Sequence, residues 1–214
     1  MTNLEKVPAA GDRHSGFVIH SSFVIRHSSF TALSAFTLIE LIVVVTIITI
    51  LAGLVLSTAG YARKKGARAR AETEIAALSA ACESYKADNG IYPTDTSTTE
   101  QLDSTASFDP ANYQSASLYL YKQLSGDATG NRQPSGKSYM AFKPNMLLPA
   151  PPSTATVIAI ADPFGNSYGY STRMAATGSG GYNPTFDLWS TAGVAPSPTP
   201  APPATQQNLW IKNW

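Results

Sequence analysis

Glu40 is the one acid in a nearly unbroken apolar run that extends from Phe36 to Leu56. A carboxylate in a lipid-exposed helix costs on the order of 2.5–3.5 kcal/mol at mid-bilayer and less near a helix end, so an acid kept there needs a partner. The neighbouring residues supply a candidate. If the chain is cut between Ala35 and Phe36, the new α-amino group of Phe36 is positively charged near neutral pH and stands four residues from Glu40. That amine can neutralise the carboxylate within one subunit or between neighbours. The chemistry is charge pairing, with no bond made or broken.

The other reactive side chains are isolated. His14, His20 and His27 fall in near copies of one short unit (His-Ser-Gly-Phe-Val-Ile, His-Ser-Ser-Phe-Val-Ile and His-Ser-Ser-Phe), with no acid or cysteine beside them. This spacing is a poor metal tract and reads better as a targeting segment, to be kept out of fold reasoning. A mature chain beginning at Phe36 would contain no histidine. Cys82 is the single cysteine; it forms no intrachain disulfide and reads as a small core residue. Asp162 and Asp187 are candidates for a carboxylate pair across adjacent strands, but Asp162 precedes Pro163 and is better explained as a turn former. A mature chain without histidine has no base to activate a serine or cysteine, and the sequence shows no phosphate loop or metal-ligand cluster, so no catalytic residue is assigned and the chain is not read as an enzyme.

Arg63, Lys64, Lys65, Arg68 and Arg70 form a basic cluster able to meet the phosphates of DNA or lipid. Tyr61 is its only aromatic neighbour, and Glu72 and Glu74 follow at once. The cluster therefore reads as a solvated juxtamembrane face or as a contact to acids on a neighbouring subunit, and nucleic acid is not the expected partner. Globally, a net charge of +1 with 14% charged residues gives no reason to expect a polyanion.

The elements that position these residues follow from patterning. About 20 apolar residues at roughly 1.5 Å each cross a hydrocarbon layer of about 30 Å, so 36–56 is long enough to span a membrane as one helix. Residues 57–90 continue it, rich in Ala, Arg, Lys and Glu and free of proline, with Ala71, Ile75, Leu78, Cys82 and Tyr85 making one apolar stripe. Asn89-Gly90 supplies a left-handed stop, which makes the whole helix roughly 80 Å long. Pro93 then leads into a polar loop, and residues 115–124 form a short second helix ending at Gly126. Residues 144–152 are a proline-rich connection. Residues 156–160 read as a buried strand, 162–166 as a turn, 168–172 as a second strand of the same hairpin and 185–189 as a third strand. The expected class is α+β: a long N-terminal helix, half transmembrane and half amphipathic, packed against a small antiparallel sheet. The expected organisation is a leader over 1–35, a membrane and assembly helix over 36–56, the amphipathic half over 57–90 and a C-terminal domain over 91–214.

Ala35-Phe36-Thr-Leu-Ile-Glu40-Leu resembles the class III signal of type IV pilins and type II secretion pseudopilins. Asp88-Asn-Gly-Ile-Tyr-Pro-Thr94, Asp162-Pro-Phe-Gly-Asn-Ser-Tyr-Gly-Tyr170, Phe186-Asp-Leu-Trp-Ser-Thr-Ala-Gly193 and Ile211-Lys-Asn-Trp214 resemble segments of the major pseudopilin, in the same order. The resemblance implies a pilin-like fold, cleavage by a prepilin peptidase between Ala35 and Phe36, N-methylation of Phe36, and use of Glu40 in assembly. It further implies a homo-oligomeric helical fibre, partners in an inner-membrane assembly platform and minor pseudopilins, and type II protein secretion as the process served. The subunit would start as a single-pass protein of the bacterial inner membrane with its C-terminal domain in the periplasm, and end in a periplasmic or surface fibre. The density of positive charge after residue 56 would by itself put that domain in the cytoplasm; the family's own processing route takes precedence.

Two departures stand out. The residue before the cut is usually Gly in the family, and Ala35 predicts slower cleavage. Major pseudopilins also bind calcium in an acidic loop after the Ser-x-x-Gly element, whereas here no Asp or Glu lies between Ser190 and Trp214. Calcium takes six to eight oxygens, normally including carboxylates, so the calcium loop reads as lost and no cofactor is expected. The alternative function is a type IV pilin whose exposed domain binds DNA through 63–70 or adheres through Gly- and Pro-rich loops; a third is a plain membrane-anchored domain.

Overall fold

The computed structural model describes residues 36–194 and 204–214; the leader assigned to 1–35 lies outside the described residues. The chain divides into two units, Met1–Thr49 and Ile50–Trp214, each treated by itself. One helix, α1 (Leu38–Asn89), passes through both.

In the first unit every described residue is exposed, and the large apolar side chains face outward on all sides, from 81% exposed at Phe36 down to 47% at Val44. A helix apolar all round, with none of the described residues packed against it, belongs in lipid or among similar helices. Its hydroxyls are closed off accordingly: Thr46 donates to the carbonyl of Ile42 at 2.7 Å and Thr49 to that of Val45 at 2.8 Å. Back-bonding of this kind leaves no hydroxyl unsatisfied in a medium without water. The α1 helix is long and apolar enough to cross a membrane.

In the second unit the remainder of α1 buries Ala71, Glu74, Ile75, Leu78, Ala81 and Cys82, the stripe expected from spacing, with Tyr85 packed at its edge. Gly90 has φ +78° and ends the helix, as Asn89-Gly90 predicts. Residues 110–113 form a 3₁₀ turn that runs into α2 (Gln114–Ser125), which closes at Gly126 with φ +74°. A three-stranded antiparallel sheet has the order β3 (Gly169–Ser171), β4 (Asp187–Ser190), β5 (Ile211–Lys212). Its register sets Gly169 opposite Trp189, Ser171 opposite Asp187, and Ser190 opposite Ile211.

The central strand β4 is buried on both faces. Leu188 joins Leu78, Leu120, Tyr168 and Tyr170 in the core against α1, while Trp189 points the other way into a cluster with Leu102, Tyr113, Ala116 and Trp210. The segment after Pro93 is a loop of turns, as expected, and through Leu102, Phe108 and Tyr113 it covers the outer face of the sheet.

The expected hairpin over 156–172 forms only in part. Its turn is present, but the ladder reduces to the single bridge Ala161–Ser167, backed by the Tyr168 amide on the Ile160 carbonyl at 3.0 Å. The first strand shrinks to β2 (Ala159–Ile160), and Ile158 stays 43% exposed. Its sheet partner is β1 (Leu147–Leu148), inside the stretch read as a proline-rich connection, so β2 belongs to a separate two-stranded sheet. A short α3 (Arg173–Thr177) and α4 (Ala204–Gln207) were not expected.

Candidate functional site

Glu40 lies in the first turn of α1. Its Oε2 accepts from the Thr37 amide and from the Thr37 hydroxyl, both at 2.9 Å, and the Glu40 amide donates back to the Thr37 Oγ at 3.3 Å. This reciprocal arrangement is a capping box, which satisfies amides at the start of a helix that have no intrahelical acceptor. Thr37 is the site residue that the sequence reading passed over, although the Thr-x-x-Glu spacing is itself the signature. Both of Thr37's bonds fall on Oε2, and the Glu40 side chain is exposed. Phe36 directly precedes this cap; Ala35, the other residue of the expected cleavage site, lies outside the described residues.

The basic cluster is split. Arg68 donates through Nη1 to the Leu209 carbonyl at 2.8 Å and through Nη2 to the Trp210 carbonyl at 3.4 Å, and its Nε lies 3.4 Å from Glu72. Arg70 Nε donates to buried Glu74 at 2.7 Å, and Glu74 also accepts from the Tyr168 hydroxyl at 2.8 Å. Arg63, Lys64 and Lys65 remain exposed. Two of the five cations thus serve the fold; a contact 141 residues distant carries no local sequence signal.

Asp162 and Asp187 are not brought together as a pair. Asp162 accepts from the amides of Phe164 (2.9 Å) and Asn166 (2.8 Å) and from the Ser190 hydroxyl (2.5 Å), confirming the turn-forming reading. Burial raises its pKa, against the lowering effect of these donors. Asp187 accepts from the amides of Tyr182 and Asn183, each at 2.8 Å, and from the Ser104 hydroxyl at 2.5 Å. Cys82 is buried in the core, where desolvation pushes its thiol up to about 12, so it remains protonated and unreactive at neutral pH.

These observations define a class: an α+β chain of pilin-like fold, with a capped acid in the first turn of an apolar helix that is exposed among the described residues. Residues 59–138 match the family described as Type II secretion system (T2SS), protein G. That match spans the amphipathic half of α1 through the end of α2 and the loop after it. No curated protein and no solved structure matched the chain.

Proposed function

We propose that this chain is a structural subunit of a pseudopilus, the fibre of a type II secretion machine, and not an enzyme. The observation that carries the reading is the T2SS protein G match over 59–138, lying directly behind an exposed apolar helix headed by Phe36 and Glu40. In this account the precursor sits in the inner membrane through 36–56 with its domain in the periplasm. A prepilin peptidase cuts between Ala35 and Phe36, the Phe36 amine is methylated, and an inner-membrane platform extracts the subunit into a homo-oligomeric helical fibre, with minor pseudopilins as further partners.

The physical logic lies in the apolar helices. Moving from lipid to contact with like helices gains little hydrophobic energy, because lipid tails are as apolar as leucine. Register is selected instead by charge: Glu40 meets the amine of a neighbouring Phe36, and a misregistered subunit leaves a buried charge unpaired. Glu40→Ala is expected to insert in the membrane normally and to yield few or no fibres in a reconstituted secretion system. Wild-type fibre yield from that variant would contradict the account. The DNA-binding alternative loses ground because Arg68 and Arg70 are engaged within the domain.

A further inference from the structure

Calcium closure of the C-terminal end is what the pseudopilin resemblance implies, and the oxygens present do not suit it. The segment from Ser190 to Trp214 contains no carboxylate. The buried acids bonded to its neighbourhood, Asp162 and Asp187, are each surrounded by N–H and O–H donors aimed at their oxygens. A shell of donors is the reverse of what a hard cation needs, and a cation there would face the positive ends of those dipoles.

The residues that do hold 204–214 are of another kind. The Arg68 guanidinium on α1 forks onto two successive carbonyls, those of Leu209 and Trp210. The Asn213 carboxamide accepts from the Leu188 amide at 2.9 Å and from Asn183 Nδ2 at 3.2 Å, and donates to the Phe186 carbonyl at 3.2 Å. Gln207 accepts from the Tyr182 hydroxyl at 2.6 Å. Two aromatic stacks close the ends: Trp210 on Trp189 with planes 6° apart, and Trp214 on Tyr182 with centroids 4.7 Å apart.

We propose that the chain closes its C-terminal segment with an internal cation, Arg68, and two neutral carboxamides, Gln207 and Asn213, so that closure requires no calcium. A guanidinium is charged at every physiological pH, and its fork matches paired carbonyl acceptors. Because it is built into α1, it acts at a fixed local concentration whatever ions are outside. The closure also ties the last strand, β5, to the helix that carries the family match.

The test uses the full-length protein in detergent, with calcium or with EGTA, and reads two quantities: the thermal unfolding midpoint, and the rate at which a metal-free serine carboxypeptidase trims Trp214 and its neighbours, followed by intact mass. The wild-type protein is expected to show the same midpoint and trimming rate in both conditions. Arg68→Gln is expected to be trimmed at least about tenfold faster, because charge-assisted bonds that hold the segment closed are lost. A wild-type midpoint that rises with calcium and falls with EGTA would overturn the proposal, as would wild-type trimming of Arg68→Gln. The calcium comparison needs no variant, so it decides even where Arg68→Gln does not fold. It is also independent of fibre formation, so its failure leaves the pseudopilus reading standing.

Discussion

Thr37 fixes one oxygen of Glu40 through both its amide and its hydroxyl, so the acid assigned to assembly also caps its own helix. Thr37→Val keeps the amide bond and removes the hydroxyl; an N-cap side chain contributes about 1 kcal/mol, so the amides of the first turn of α1 should exchange about fivefold faster in detergent. Unchanged exchange would mean that the cap contributes nothing. A second test concerns Gly169, whose place opposite Trp189 leaves no room for a side chain: a Cβ there would lie 2.1 Å from the indole. Gly169→Ala should therefore destabilise the domain by about 1–3 kcal/mol, measured as a lower denaturant midpoint. Wild-type stability would show that the ring moves aside freely.

Among the elements, the loop after α2 is organised by one buried acid. Asp127 accepts from the Tyr121 and Thr129 hydroxyls and from the amides of Gly130, Asn131 and Arg132. Burial presses its pKa upward, but Tyr121, Arg132 and Gly130 outweigh that and leave it lowered. For an acid whose folded pKa is lowered, the stabilisation is complete above the unfolded pKa and is lost as the pH falls through the folded value. Asp127→Asn should thus cost about 1.5–3 kcal/mol at neutral pH, and the gap to wild type should narrow as the pH drops below the ordinary carboxylate range. A gap that is constant with pH would contradict this. The elements legible in the sequence are those set by local rules: α1 by its stripe and its Asn-Gly stop, α2 by periodicity and Gly126, the 162–166 turn by Asp162-Pro163. Those missed depend on distant partners. A two-residue strand such as β1 exists only because Leu147 and Leu148 meet Ile160 and Ala159, and no periodicity is readable in two residues inside a proline-rich stretch. The Arg68 fork was missed for the same reason, and α3 because five residues carry too little pattern. The capping box is legible in the Thr37-x-x-Glu40 spacing itself.

For the whole molecule, two solvents are written into one chain. Residues 36–56 present apolar side chains on every face, with the Thr46 and Thr49 hydroxyls closed onto their own backbone, whereas from Ala71 onward α1 buries one stripe under a sheet whose central strand is covered on both sides. In the proposed account the helix occupies a lipid phase first and packs against like helices afterwards, with processing at Phe36 as the step between the two. Ala35→Gly is accordingly expected to be processed faster than the wild type, since Gly is the usual residue before such a cut; equal rates in a pulse-chase experiment would contradict that. The most direct measurement is the N-terminal residue and intact mass of the protein recovered from membranes, with and without its prepilin peptidase. The account predicts an N-methylated Phe36 that appears only when the peptidase is present. An N-terminus upstream of Phe36 in both samples would contradict it and leave a membrane-anchored domain outside any fibre.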